Sequence, residues 1–123
     1  MKNLYSLLLA FFVIISSEAD THYINTGNYY YSPSNTTIAL NDTVIWINDG
    51  GYHNVNFINS SITGTSFGNP ISFISAPTGA STIYQHIFTT LGSYTYDCSV
   101  GSHAAAGMVA VSYTHLTLPT TPV

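Results

Sequence analysis

Between residues 20 and 112, short stretches rich in Tyr, Ile, Val, Thr and Phe alternate with clusters of Gly, Asn, Ser and Pro. Within these stretches apolar and polar positions alternate, which is typical of half-buried strands, and no sustained period of 3.6 indicates a helix. The pattern therefore predicts an all-β domain, and short strands at this spacing favour a sandwich or a barrel. The predicted strands cover residues 22–31, 36–40, 43–48, 53–57, 82–89, 93–97 and 108–112.

The same alternation predicts which side chains form the core. Val44 and Trp46 lie on one face of their strand, and Ile45 and Ile47 lie on the other. Because Trp46 falls on a predicted core face, we interpret it as a packing residue and not as a redox relay. The remaining predicted core residues are Phe57, Phe88, Tyr94, Tyr96 and Val109. The polar stretch 59–79 contains two prolines and is expected to run outside the sheets.

Both ends of the chain differ from this pattern. Residues 1–19 have the form of an export signal, with Lys2 at the start, an apolar run over 7–15 and small residues before Asp20. The apolar run is much shorter than the roughly 20 residues that span a bilayer. We expect cleavage after Ala19, a domain over 20–112 and a periplasmic or extracellular location. Residues 113–123 resemble translated sequencing-adapter sequence and form a tail of doubtful origin, the alternative being a natural Thr/Pro-rich tail.

The charge of the chain limits its partners. The formal net charge is −4, and Lys2 is the single Lys or Arg of the sequence. Proteins that bind nucleic acid need several cations to neutralise phosphates, so this class of partner is excluded. No membrane span is expected once the signal is removed, and a partner with a basic or apolar docking face fits better.

The lone cysteine belongs to a pattern of potential metal donors. Cys98, His103 and Met108 follow one another with four residues between each pair, in a glycine-containing loop between two predicted strands. Thiolate, imidazole and thioether groups are soft or borderline metal ligands. His53 follows Gly50 and Gly51 at the start of another predicted strand, where a turn can direct it toward the Cys98 loop.

Two stretches carry a resemblance to the blue copper proteins, or cupredoxins, of the plastocyanin and azurin type. They are TVIWINDGGYHNVNF at 43–57 and LGSYTYDCSVGSHAAAGMVAV at 91–111, and the resemblance extends over about 29–112. It implies a Greek-key β-sandwich or barrel of about seven or eight strands. It also implies one type 1 copper per chain, with His53, Cys98 and His103 as trigonal ligands, Met108 as the weak axial ligand and Asn54 as a brace of the ligand loop.

The expected function is that of a one-electron carrier. With four protein ligands no open position remains for a substrate, so no enzymatic activity is expected. The resemblance points to the edge of His103 as the electron exit, where a redox partner protein would dock, and we expect a monomer. Two alternatives remain open, namely a copper delivery or buffering protein and a metal-free secreted β-sandwich that acts in surface interaction. Taken singly, each donor has a common structural role, since buried Cys and Met are usually apolar packing residues.

Overall fold

A computed structural model of the protein describes residues 18–116, and these residues form seven strands and no helix. The predicted signal over 1–19 lies almost wholly outside the described residues, as does the end of the predicted tail. The all-β prediction is therefore confirmed for the described part of the chain. The strands are β1 (Thr21–Gly27), β2 (Tyr30–Ser32), β3 (Asn35–Ala39), β4 (Thr43–Asn48), β5 (Thr82–Ile87), β6 (Gly92–Asp97) and β7 (Val109–His115).

The strands pair into two sheets that pack as a β-sandwich. One sheet has the order β2-β1-β4-β5, and the other has the order β3-β7-β6. β1 runs parallel to β4 and β3 runs parallel to β7, whereas the remaining pairs are antiparallel. Each parallel pair joins strands that are distant in sequence, so both sheets depend on long-range contacts.

Two predicted strands differ from the structure. The stretch 22–31 is divided between β1 and β2. These two strands form an antiparallel hairpin in which Gly27 pairs with Tyr30. The stretch 53–57 is extended but makes only isolated bridges. Its backbone hydrogen bonds go to several separate segments and include His53 N to Thr78 O at 3.0 Å and Asn56 N to Asp97 O at 2.8 Å. A continuous ladder therefore cannot form there.

β7 is longer than predicted. It pairs with β3 as far as the contact between Ala39 and His115, and with β6 as far as the contact between Gly92 and Thr114. The last strand thus continues three residues beyond Ser112, where the domain boundary was predicted. Thr114 is buried, so the strand also contributes to the packed region there.

The space between the sheets is filled with aromatic side chains. Trp46 donates a hydrogen bond from Nε1 to the Tyr96 hydroxyl at 3.2 Å, and Phe57 stacks on Tyr96 with ring centroids 4.5 Å apart. All predicted core residues on the inward faces are buried except Val109, which is partly exposed. In β7 the inward positions are those of Ala110, Ser112 and Thr114, so the predicted phase of this strand was wrong by one residue.

The polar stretch 59–79 runs outside the sheets, as predicted, and contains no helix. Phe73 anchors it by stacking on Phe57, with ring centroids 4.2 Å apart. Backbone hydrogen bonds also join it to the 53–57 segment, and that segment is itself paired with the end of β6 through Asn56 and Asp97. Among residues 18–116 no helix is long and apolar enough to cross a membrane.

Candidate metal centre

The turn that follows β4 sets the orientation of His53. The His53 ring donates from Nε2 to the Gly50 carbonyl oxygen at 2.8 Å, and its Nδ1 lies on the side of Cys98, where it can bind a metal. Gly51 makes room for this contact. A Cβ at Gly51, where φ is +98°, would lie 2.7 Å from His53 Nε2 and 2.5 Å from the Asn28 side chain. The glycines before His53 thus permit both the turn and the ring position.

Cys98 stands immediately after β6, and a series of tight turns returns the chain to β7. Hydrogen bonds from His103 N to Val100 O and from Met108 N to His103 O shape the loop. Its two ends meet where Cys98 N donates to Met108 O at 3.2 Å. The loop therefore places Cys98, His103 and Met108 side by side at one end of the sandwich.

His53, Cys98 and His103 converge. Their donor atoms all lie within 4.8 Å of one another. Cys98 Sγ is 4.0 Å from His53 Nδ1 and 3.5 Å from His103 Nδ1. His53, Cys98 and Met108 are fully buried, and His103 is partly exposed. The four sequence-predicted donors are thus brought to one place from two distant parts of the chain.

This donor set fits a copper ion. Metal–nitrogen bonds of about 2.0 Å and metal–sulfur bonds of about 2.3 Å would put sulfur and nitrogen donors about 3.7 Å apart. The two Sγ–Nδ1 distances at this site are 4.0 Å and 3.5 Å. Two imidazoles, a thiolate and a thioether form the set that type 1 copper prefers. His53, Cys98, His103 and Met108 are therefore positioned to form a type 1 copper site.

Asn54 connects the two ligand segments. Its Oδ1 accepts from Ser99 N at 2.8 Å, and its Nδ2 donates to Ser99 Oγ at 2.8 Å and to Ser75 O at 3.1 Å. The residue after His53 is thereby tied to the residue after Cys98. Asn54 itself is fully buried, so its side chain depends on these bonds to satisfy its polar atoms.

Burial controls the ionisation of the donors. It raises the pKa of the Cys98 thiol above its ordinary value, although backbone hydrogen bonds to the sulfur act in the opposite direction. It also lowers the pKa of His103, and the neighbouring His53 adds to that effect. Both shifts favour the neutral forms, so a metal that binds here displaces a proton from Cys98.

Tyr29 covers part of the His103 ring and was not identified from the sequence. The two ring centroids are 4.7 Å apart at an angle of 51°, and Tyr29 is 47% exposed. Ala105, Ala106 and Gly107 are exposed beside it. Together with His103 and Tyr29 they form a surface that we call the His103 face. No sequence signal points to Tyr29, because it lies outside the ligand loop and comes close only in the fold.

Two further histidines lie away from this centre. His22 Nε2 is 2.8 Å from an oxygen of Asp42, near the start of β4 and far from His53. His86 stacks on Phe73 with ring centroids 4.0 Å apart, and burial lowers its pKa. Neither was assigned a site role from the sequence, and neither is in the donor cluster.

A seven-stranded sandwich with this donor set at one end defines a cupredoxin. The family model for copper binding proteins of the plastocyanin/azurin family matches residues 19–112. The chain is 33% identical to plastocyanin from Scenedesmus fuscus over 88 residues, which cover 68% of this chain and 85% of that protein. This chain therefore belongs to the plastocyanin/azurin family of copper-binding proteins.

Solved structures agree with this assignment. A purple cupredoxin from Nitrosopumilus maritimus superposes with a TM-score of 0.60 at 28% identity, covering 76% of this chain and 99% of that one. The copper-containing nitrite reductase of Thermus scotoductus SA-01 matches with a TM-score of 0.64 at 20% identity. That match covers 89% of this chain but only 26% of the reductase, so it shows a shared fold alone.

Proposed function

We propose that the protein is a one-electron carrier that cycles a single copper ion between Cu(II) and Cu(I). In this proposal His53, Cys98 and His103 would hold the ion most strongly, and Met108 would be the fourth and weaker donor. The observation that carries the proposal is the convergence of one cysteine and two histidine donors within 4.8 Å in a largely buried site. Bound copper supplies the one-electron redox chemistry, and the residues supply its position and environment.

The rigidity of the site supports electron transfer. The Gly50 carbonyl fixes the His53 ring, and Asn54 braces the loop at Ser99. A site that is held by such bonds changes little between oxidation states, which lowers the structural cost of gaining or losing an electron. Copper delivery and buffering are less compatible with the structure, because three of the four donors are fully buried.

An enzymatic role is not proposed. With copper bound, the four protein donors would leave none of the positions that a catalytic metal keeps open for water or substrate. The relatives in the family match over most of this chain, whereas the nitrite reductase contains much additional sequence. We therefore propose a carrier that exchanges electrons with another protein.

The His103 face is the proposed exit for electrons. His103 is the donor that reaches the surface, and small residues around it let a partner approach closely. A partner with a basic or apolar face suits the chain, since residues 18–116 contain no Lys or Arg. We propose that the mature protein is an exported monomer of the periplasm or the extracellular space.

The test is to express the domain without residues 1–19, add Cu(II) and record visible spectra and voltammetry. An intense thiolate-to-copper absorption with reversible one-electron reduction supports the carrier. Colourless, readily exchangeable copper would support delivery or buffering, and no binding would support a metal-free sandwich. Cys98→Ser serves as the matched control and should lose the absorption.

A further inference from the structure

We infer that Asp97 sets the redox balance of the copper site through its buried negative charge, an inference that rests on the proposed copper function. Asp97 immediately precedes Cys98 and is 1% exposed. It is not one of the converging donors. Nothing in the donor pattern of the sequence requires a carboxylate at this position.

The Asp97 carboxylate is held by neutral partners. Oδ1 accepts from Asn56 Nδ2 at 2.9 Å and from Ser61 Oγ at 2.9 Å, and Oδ2 accepts from Ser61 N at 2.7 Å. These are three donors to a group that only accepts when it is ionised. None of them carries a positive charge.

No cation compensates this carboxylate within the described residues. Residues 18–116 contain no Lys or Arg. His22 is bonded to Asp42, and His86 lies in the aromatic stack with Phe73. Of the two buried carboxylates in this part of the chain, Asp42 has a histidine partner and Asp97 has none. The charge of Asp97 therefore acts on its surroundings without a counter-charge.

The position of this charge gives it influence over copper. Adjacent Cα atoms are about 3.8 Å apart, so Asp97 is next to the ligand in the chain. The interior has a low effective dielectric constant, where charges interact more strongly than in water. A negative charge attracts Cu(II) more than Cu(I), so Asp97 favours the oxidised ion and lowers the reduction potential.

Asp97 also has a structural role, which its backbone performs and which is independent of the charge of its side chain. Its backbone is paired with Asn56, since Asn56 N donates to Asp97 O at 2.8 Å and Asp97 N donates to Asn56 O at 3.0 Å. This pairing joins the His53 segment to the Cys98 strand and does not involve the carboxylate. Asp97→Asn therefore removes the charge with the backbone bridge in place.

Two variants separate charge from geometry. Asp97→Asn removes the charge and should raise the Cu(I) preference about tenfold, which is about 59 mV for one electron. Ser61→Ala keeps the charge of Asp97 but removes the hydrogen bond from the Ser61 hydroxyl, which partly neutralises that charge. The charge should then favour Cu(II) more strongly, so the reduction potential should fall. If the carboxylate acts only by holding Ser61 and its neighbours in place, both variants weaken the same contact between Asp97 and Ser61. The potential should then shift in the same direction in both.

Asp42→Asn is the matched control. It also removes a buried carboxylate, but Asp42 precedes β4 and His53 follows it, so about 20 Å of strand separates them. At that distance screening removes nearly all of the interaction. The potential of Asp42→Asn should equal that of the unchanged protein.

The experiment measures midpoint potentials by spectroelectrochemistry, together with Zn(II) titration of the metal-free proteins. Asp97→Asn should raise the potential and weaken binding of Zn(II), a dication without redox chemistry, and Ser61→Ala should lower the potential. An unchanged potential in Asp97→Asn, or shifts of the same sign in both variants, would overturn the inference. Loss of reversible reduction in the unchanged protein would instead contradict the proposed function. If Asp97→Asn does not fold, the sign of the Ser61→Ala shift decides the inference.

Discussion

Asn54 and Ser99 are joined by two hydrogen bonds of 2.8 Å, one from the Ser99 backbone N–H and one to the Ser99 hydroxyl. Asn54 follows His53, and Ser99 follows Cys98. The pair therefore fixes the distance between two segments that are 45 residues apart in the sequence. The metal centre is thus preformed by a side-chain contact that contains no metal ligand.

Asn54→Ala should reveal how much this contact stabilises the protein. The change removes three hydrogen bonds of a buried side chain and should lower the free energy of unfolding by about 3 kcal/mol. Ser99→Ala is the matched control, because it removes only the hydroxyl partner and should cost about 1 kcal/mol. Urea denaturation of the metal-free proteins measures both. Equal, small losses in the two variants would show that Asn54 does not brace the loop.

Met108→Gln should lower the reduction potential. An amide oxygen is a harder donor than a thioether and favours Cu(II), by about tenfold or about 59 mV. Met108→Leu offers no donor and should move the potential in the opposite direction. Voltammetry of both variants checks this prediction, and equal potentials in all three proteins would rule out Met108 as the axial ligand.

Ala105→Glu should slow electron exchange through the His103 face. Electron self-exchange between reduced and oxidised copies needs no known partner, and NMR line broadening measures its rate. Two acidic faces repel each other at encounter, so we expect a drop of about tenfold at low salt, with partial recovery at high salt. Ile87→Glu adds the same charge at a position that is 51% exposed and pairs with Thr43, far from His53. A similar drop in both variants would mean that the exchange does not depend on this face.

Asp42 should make stability dependent on pH in the acid range. Burial by itself raises the pKa of Asp42, but hydrogen bonds from His22 and from the backbone N–H groups of Asp20 and Ala39 outweigh it and lower the pKa. A lowered pKa in the folded state stabilises the protein above the ordinary Asp value of about 3.9. This stabilisation is lost as the pH falls through the lowered value.

Asp42→Asn should therefore flatten the acid side of the stability profile and cost about 1–3 kcal/mol at pH 7. Urea midpoints between pH 2 and pH 7 measure the effect. Asp49→Asn is the control, because it changes an exposed residue whose carboxylate accepts a hydrogen bond from the Tyr30 hydroxyl. If both variants keep the acid dependence of the unchanged protein, Asp42 is not the group responsible for it.

The sequence predicted most strands because they are defined by local alternation. β4 was predicted with its observed ends, Thr43 and Asn48. The segment that begins at His53 has the same alternation, but its hydrogen bonds go to several different partners and not to one strand. Alternation of apolar and polar residues indicates which side chains are buried, but it does not indicate which segments the backbone N–H and C=O groups bond to. This segment was therefore wrongly predicted as a strand.

The donor residues could be predicted because their chemistry is local. Cys98, His103 and Met108 lie within one loop, and soft or borderline donors at regular spacing indicate a metal site directly. The contact between Tyr29 and His103 depends on the turn between β1 and β2, which carries Tyr29, and on where the loop from Cys98 to Met108 lies relative to that turn. These are long-range relations that no local pattern encodes. The acidic side chain of Asp97 and the absence of Lys and Arg were visible in the sequence, but the burial of Asp97 among neutral hydrogen-bond donors required the fold.

X-ray absorption spectroscopy at the copper edge tests the central claim most directly. After the protein without residues 1–19 is loaded with one equivalent of Cu(II), we predict two imidazole nitrogens and one short sulfur bond at each copper. That sulfur contribution should be absent from Cys98→Ser. A spectrum with only nitrogen and oxygen neighbours in the unchanged protein would contradict the claim that His53, Cys98 and His103 hold the ion together.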